Sequence, residues 1–279
     1  MQIFKEISPL KHHLQQKRKD GFSIGLVPTM GALHEGHLSL IKASKTATGH
    51  TVCSLYVNPT QFNNPADLEK YPRTIEKDIA MLESAGCDVL FAPETASMYE
   101  KPAVIRFDFG SLDKILEGKF RPGHFSGVAT VVSKLFHIVE PDHAFFGQKD
   151  YQQLQIVTKL VEELKFNIVL HGVPIVREAS GLAMSSRNQR LSDGEKKRAI
   201  VLQESLSDAR RQLLAGKAWP QVQKDVVEKF YTAEDLQLEY FELANRDDIT
   251  NTINVDIKNG ILLTACVVGP VRLIDNMFI

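Results

Sequence analysis

The stretch "VPTMGALHEGHLSLI", Val27 to Ile41, sets two imidazoles three residues apart, His34 and His37, with Gly36 between them, where an apolar run gives way to a polar one. Three kinds of chemistry use such a pair: a metal ion held by two nitrogens, a phosphate held in a turn, or plain solvation in a loop. The metallopeptidase pattern H-E-x-x-H sets its histidines four apart on one helical face, whereas this stretch is H-E-G-H and no third ligand lies nearby at evident spacing. Context favours phosphate. Gly31 and Gly36 let backbone come close to a ligand, and the helix that follows offers unpaired N–H groups and the positive end of its dipole. Imidazoles donating to phosphate oxygens there would stabilise negative charge building on a transferring phosphorus.

Other segments carry groups suited to the same task. "GLAMSSRNQRLS", Gly181 to Ser192, brings two hydroxyls, Ser185 and Ser186, beside Arg187; read alone it is also an ordinary surface loop. "GQKD" supplies Lys149, and "YVNPTQFN" the amides of Asn58 and Gln61. Asp150 has two readings, a ribose ligand or the N-cap of the helix beginning "YQQ".

These residues need elements to position them. Phe22 to Val27 and "TVCSLYV", Thr51 to Val57, are apolar runs of buried-strand type, and His37 to Thr48 between them has helical character. Strand, helix and strand in about 35 residues make a βαβ unit with a right-handed crossover. The alternation continues through "RTIEKDIAMLESAG", "CDVLFAP", "SGVATVVSKLFHIVE", "HAFFG", "YQQLQIVTKLVEEL" and "NIVLHGVPIV". The expected fold is α/β, a Rossmann-like doubly wound parallel sheet whose ligands bind beyond the carboxyl ends of the strands, where "PTMG", "NPTQFN" and "GQKD" fall. Near Ser180 to Leu191 the texture changes. Ser192 and Glu195 form a capping box for a long helix closing at Gly216, a second helix covers about Pro220 to Tyr231, and "LQLEYFELA" and "GILLTACVVGPVRLID" are strand-like. The second expectation is a smaller C-terminal α+β domain, with residues 1–185 in the first domain and 186–279 in the second.

The 279 residues are 43% hydrophobic and 24% charged, a globular composition. A formal net charge of -1 argues against binding nucleic acid through phosphate neutralisation and makes a small molecule the better partner. The most apolar C-terminal stretch, "ILLTACVVGPVRLI", is too short and interrupted to span a bilayer, and the N-terminus has no signal-peptide core, so a cytoplasmic protein is expected. Cys53, Cys87 and Cys266 are odd in number and widely spaced, which predicts neither disulfides nor a zinc site.

H-x-G-H after a strand resembles the signature shared by nucleotidylyltransferases and class I aminoacyl-tRNA synthetases, and "MSSRN" resembles the K-M-S-K-S loop of that superfamily. More specifically, "PTMGALHEGHLSLI", "YVNPTQFNNPADLEKYPRT", "FRPGHFSGVATVVSKLF", "GQKDYQQLQIV", "GLAMSSRN" and "RLIDN" resemble, in order and over nearly the whole chain, the pantothenate synthetase (pantoate:β-alanine ligase) family. The departures are Ser180 for an acidic residue, Gln148 for a common glutamate, and Pro270-Val271 for a more polar pair.

The resemblance implies ATP-dependent condensation of pantoate with β-alanine through a pantoyl adenylate, releasing AMP and pyrophosphate. It implies a catalytic set of His34, His37, Lys149, Ser185, Ser186 and Arg187, with His37 as the acid in imidazolium form. By the same resemblance ATP contacts Pro28, Thr29, Met30, Gly31, Gly147, Gln148 and Asp150, with Val176 and Met184 near the base, while Asn58, Gln61 and Gln153 face pantoate or β-alanine. Magnesium enters with the nucleotide, with no dedicated protein metal site, and the assembly is a homodimer. Arg121 and His124 close the site or serve a dimer contact. Three rivals stand beside this reading: an adenylyltransferase that releases its product, a tRNA synthetase, for which the chain is short and near neutral, and a nucleotide-binding module without catalysis.

Overall fold

A strand covered on both faces must be apolar at successive positions, and Ile24–Thr29 shows how this chain uses that rule. Ile24 and Leu26 enter one hydrophobic core while Val27 enters another on the opposite face. The same alternation runs through Val52 and Cys53, through Val89, Leu90 and Phe91, and through Ala144, Phe145 and Phe146. Two cores back to back require helices on both faces of one sheet.

The computed structural model describes residues 1–231, 235–252 and 255–279. Its first compact unit comprises residues 1–148 and 152–174. In chain order it contains β1 (Gln2–Phe4), α1 (Ile7–Lys19), β2 (Ile24–Thr29), α2 (Glu35–Ala47), β3 (His50–Leu55), α3 (Pro65–Glu69), α4 (Ile75–Ser84) and β4 (Val89–Phe91). It continues with α5 (Thr95–Met98), α6 (Leu116–Phe120), α7 (His124–Val139), β5 (His143–Gly147), α8 (Tyr151–Glu163) and β6 (Val169–Val173). The strands pair in the order β1-β4-β3-β2-β5-β6, every pairing parallel. The doubly wound sheet read from sequence is therefore present. Helices α1 and α7 contribute to the core built on Ile24 and Leu26, and α2 and α4 to the core built on Val27.

The order of winding reverses between β2 and β5, because β2 leads to β3 and β4 on one side and β5 lies on the other. Such a switch leaves a crevice at the carboxyl ends of the two strands. The turn carrying His34 follows β2 there, and Gly147 closes β5. Pro28, which has no N–H to donate, falls where β2 pairs with β3 but no longer with β5.

The second unit comprises residues 149–151 and 175–279. Here α9 (Asp193–Leu214) and α10 (Trp219–Tyr231) pack on an antiparallel sheet of β7 (Leu236–Asn245), β8 (Gly260–Val268) and β9 (Val271–Phe278). The Ser192–Glu195 capping box opens α9 as the sequence predicts, Ser192 accepting from the Glu195 N–H at 3.3 Å and Glu195 accepting from the Ser192 N–H at 2.7 Å. Leu202, Leu206, Ala209 and Leu213 form its buried stripe, and the four-residue rhythm of Val222, Val226 and Phe230 does the same for α10. Among the described residues no helix is long and apolar enough to cross a membrane.

Candidate functional site

In the first unit the H-E-G-H stretch starts helix α2, and its two histidines satisfy that helix's first N–H groups. His34 is the N-cap: its Nδ1 accepts from the Gly36 N–H at 3.1 Å, and Nδ1 of His37 accepts from the His34 N–H at 3.3 Å. This is a capping box built from imidazoles, with ring centroids 4.1 Å apart. A ring that accepts through Nδ1 is neutral and carries its proton on Nε2, since an imidazolium has no lone pair to offer. The helix therefore fixes the tautomer of both rings and makes Nε2–H the donor.

The turn before the helix is held from a distant part of the chain. Gly31 and Ala32 both have positive φ, 81° and 51°. The buried carboxylate of Asp78 accepts from the Ala32 N–H at 2.9 Å and the Leu33 N–H at 2.8 Å, and from the Thr74 hydroxyl at 3.2 Å. Sequence reading missed Asp78. Its signal was present: Ile79 and Leu82 mark the inner stripe of α4, and Asp78 is the carboxylate set beside them. Thr29 is also buried, bonding the Ser54 carbonyl at 2.8 Å and accepting from the Gly31 N–H at 3.3 Å, while Pro28 and Met30 are half-buried.

The amides read from "NPTQF" are both buried, Asn58 to 1% and Gln61 to 7%. Asn58 caps the turn Pro59–Gln61 and donates to Gln61 Oε1 and to the Gly127 carbonyl, both at 3.2 Å. It accepts from the Tyr99 hydroxyl at 3.0 Å, and burial raises the Tyr99 phenol above its ordinary range and keeps it a donor. Gln61 Nε2 donates to the Met30 sulfur at 3.1 Å, so the loops after β2 and β3 meet at this side chain. Gly127 makes the approach possible, because a Cβ there would sit 2.3 Å from the Thr60 carbonyl oxygen.

Arg121 and His124 join the same turn. His124 is buried and donates through Nδ1 to the Gln61 carbonyl at 2.8 Å, and Arg121 donates to His124 Nε2 at 3.1 Å. Within this unit their shared partner is the Gln61 backbone. Gln153 is half-buried in the first turn of α8, where its neighbour Gln152 accepts from the Glu117 N–H at 2.9 Å. Gly147 and Gln148 follow from β5.

The second unit holds the remaining candidates. Val176 to Met184 is a tight hairpin: the Met184 N–H bonds the Val176 carbonyl at 3.0 Å and the Glu178 N–H the Leu182 carbonyl at 2.8 Å, bringing Val176 and Met184 side by side. Ser180, where an acidic residue was expected, accepts from the Leu182 N–H at 3.4 Å inside that turn. Ser185 then caps the short 3-10 turn Ser186–Arg190 by accepting from the Arg187 N–H at 3.3 Å. Asn188 Nδ2 bonds Glu178 at 2.8 Å and the Ala183 carbonyl at 3.1 Å, and Leu182 and Leu191 anchor the segment in the core of this unit. Lys149 is half-buried, with Nζ 3.9 Å from the exposed Asp150 carboxylate.

The cysteines take no part in this chemistry. All three are buried and unpaired, and burial holds Cys87 at about 11 and Cys266 at about 12, well into the thiol range.

The family model described as pantoate-beta-alanine ligase matches residues 2–278. The chain belongs to the pantoate–β-alanine ligase family. That family's members join their substrates through a carbon–nitrogen bond. Curated relatives include the pantothenate synthetases of Bacteroides thetaiotaomicron, 43% identical over 99% of this chain and 98% of that protein, and of Cytophaga hutchinsonii, 45% identical over 98% and 97%. The pantothenate synthetase of Thermus thermophilus superposes with a TM-score of 0.93 at 36% identity, covering 100% of this chain and 99% of that one. A Francisella tularensis pantoate-beta-alanine ligase, solved in complex with beta-gamma ATP and beta-alanine, gives 0.82 at 34% identity over 100% and 97%.

Proposed function

We propose that this chain condenses pantoate with β-alanine at the expense of ATP, by way of a bound pantoyl adenylate, and that the capped H-E-G-H histidines stabilise the first step. Pantoate's carboxylate is ionised near neutral pH, so its attack on the α-phosphorus calls for alignment and charge stabilisation rather than a base. One carboxylate oxygen bonds to phosphorus as pyrophosphate leaves. The β-alanine amine then attacks the acyl carbon, the carbon–oxygen bond to AMP breaks, and the amine gives up a proton. His34 and His37 donate to phosphate oxygens through Nε2–H as neutral rings, in place of the imidazolium expected for His37, because their Nδ1 atoms are engaged by the helix start. Lys149, Ser185, Ser186 and Arg187 supply the remaining phosphate contacts, and Pro28 to Gly31, Gly147, Gln148, Asp150, Val176 and Met184 bind the rest of ATP. On this reading residues 1–185 are the ATP- and pantoate-binding domain and residues 186–279 a small C-terminal α+β domain.

Asn58, Gln61 and Gln153 face pantoate or β-alanine, an assignment supported by two amides buried where the loops after β2 and β3 meet. Magnesium would arrive on the nucleotide phosphates rather than in a dedicated protein cage. The enzyme works as a cytoplasmic homodimer on this reading, and Val104 and Ile105, 88% and 72% exposed, are apolar surface for a second copy to cover. Light scattering should then give twice the chain mass; a monomer at working concentration removes that part of the proposal.

The observation that carries the reading is the imidazole capping box at the switch point of the sheet. The expected result is exchange of labelled pyrophosphate into ATP with pantoate and magnesium present and β-alanine absent. Exchange that depends strictly on β-alanine would remove the adenylate intermediate.

A further inference from the structure

The motif "RLIDN" lies within β9, and none of its residues has a part in the chemistry above. Its last two members are polar and almost wholly buried, Asp275 and Asn276 at 4% exposure each. Successive strand residues point to opposite faces, so the pair reaches in two directions. Asp275 takes the Arg177 guanidinium in a two-pronged bridge, at 2.6 Å and 2.9 Å. Arg177 lies in the Val176–Met184 hairpin, where it also donates to the Gly181 carbonyl at 3.1 Å and to the Asn276 carbonyl at 3.4 Å. Asn276 Nδ2 donates to the Lys149 carbonyl at 2.9 Å. One dipeptide thus fixes the backbone of Lys149 and the hairpin that leads into Ser185, Ser186 and Arg187.

Stability alone is a poor reason for such a pair. A buried ion pair is often no better than apolar packing of the same volume, whereas removing one partner is costly. Its distinctive property is direction, since a bidentate Arg–carboxylate bridge fixes orientation as well as distance. We propose that Asp275 and Asn276, with Arg177, are positioning residues for adenylate formation, holding Lys149 and the Ser185–Arg187 turn in one fixed frame. This rests on the phosphate roles given to those groups above.

The test compares Asn276→Ala, which gives up one bond to Lys149, with Asp275→Asn, which weakens the bridge. Displacing a catalytic group by about 1 Å costs on the order of 10²-fold. The expected result is a loss of about that size in turnover of the pantoate-dependent pyrophosphate exchange. The pantoate KM and amide formation from supplied pantoyl adenylate should stay near wild type. Hydrogen exchange at the Met184 and Asn188 amides should quicken in Asp275→Asn. Equal loss in both half-reactions, in step with the melting temperature, overturns the proposal in favour of a structural role, and so does unchanged turnover in both variants. If the unmutated enzyme shows no pantoate-dependent exchange, the adenylate reading fails separately, and unchanged amide protection in Asp275→Asn then overturns the clamp as well.

Discussion

Replacing His37 with alanine is expected to lower turnover in pyrophosphate exchange by about 10²- to 10³-fold, the usual scale for losing one preorganised donor to a developing oxyanion. The substitution also removes the acceptor for the His34 N–H, worth ~1 kcal/mol of helix stability. His37→Gln separates the two effects, because glutamine at the third helical position can restore the cap without restoring the imidazole. Stability should return with glutamine and turnover should not. Supplied pantoyl adenylate should rescue amide formation in His37→Ala, since aminolysis bypasses the phosphorus. Gln61→Ala should behave differently, raising the pantoate KM and still binding the adenylate poorly, because it removes a buried amide and leaves the phosphate donors intact.

The parts of the fold that were legible in the sequence are those in which one residue's neighbours decide its state. Strands buried on both faces appear as apolar runs, and "SIGLV" or "HAFFG" needs no partner to be recognised. The three-residue β1 escapes that logic, because Gln2 and Ile3 are exposed and only its pairing with β4 makes it a strand. "GILLTACVVGPVRLID" was legible as strand, and Gly269-Pro270 proves to be the turn between β8 and β9. Lys149 to Tyr151 join the second unit through contacts with residues such as Asn276 and Arg246, which lie far along the chain. The candidate site divides in the same way. Its residue types could be read from spacing and resemblance, but the direction of the imidazole protons depends on which backbone N–H groups each Nδ1 meets.

Asp78→Asn is expected to damage stability and activity together, because it alters the support of the turn from which His34 and His37 project. Two main-chain N–H groups point at this carboxylate, and both belong to the segment where Gly31 and Ala32 turn through positive φ. An asparagine offers one oxygen and one NH2, so one of the two N–H groups would face another donor. Bonds to charged groups are worth about 1.5–3 kcal/mol and a stranded buried donor costs about 1–3 kcal/mol, which puts the expected loss near 3 kcal/mol. For a unit of this size that is a fall in Tm on the order of 10 °C. Thr74→Val is the control. It removes only the hydroxyl bond at 3.2 Å, a change of about 1 kcal/mol, and leaves both N–H groups on the carboxylate. At a temperature where Asp78→Asn remains folded, its pyrophosphate exchange should still run on the order of 10²-fold slow, since a displaced turn carries both imidazoles with it. Loss of stability with full exchange would make Asp78 a support of the core alone. If Asp78→Asn melts and turns over as the unmutated chain does, the Gly31–Leu33 turn holds its shape without the carboxylate, and the histidines owe their placement to helix α2 alone.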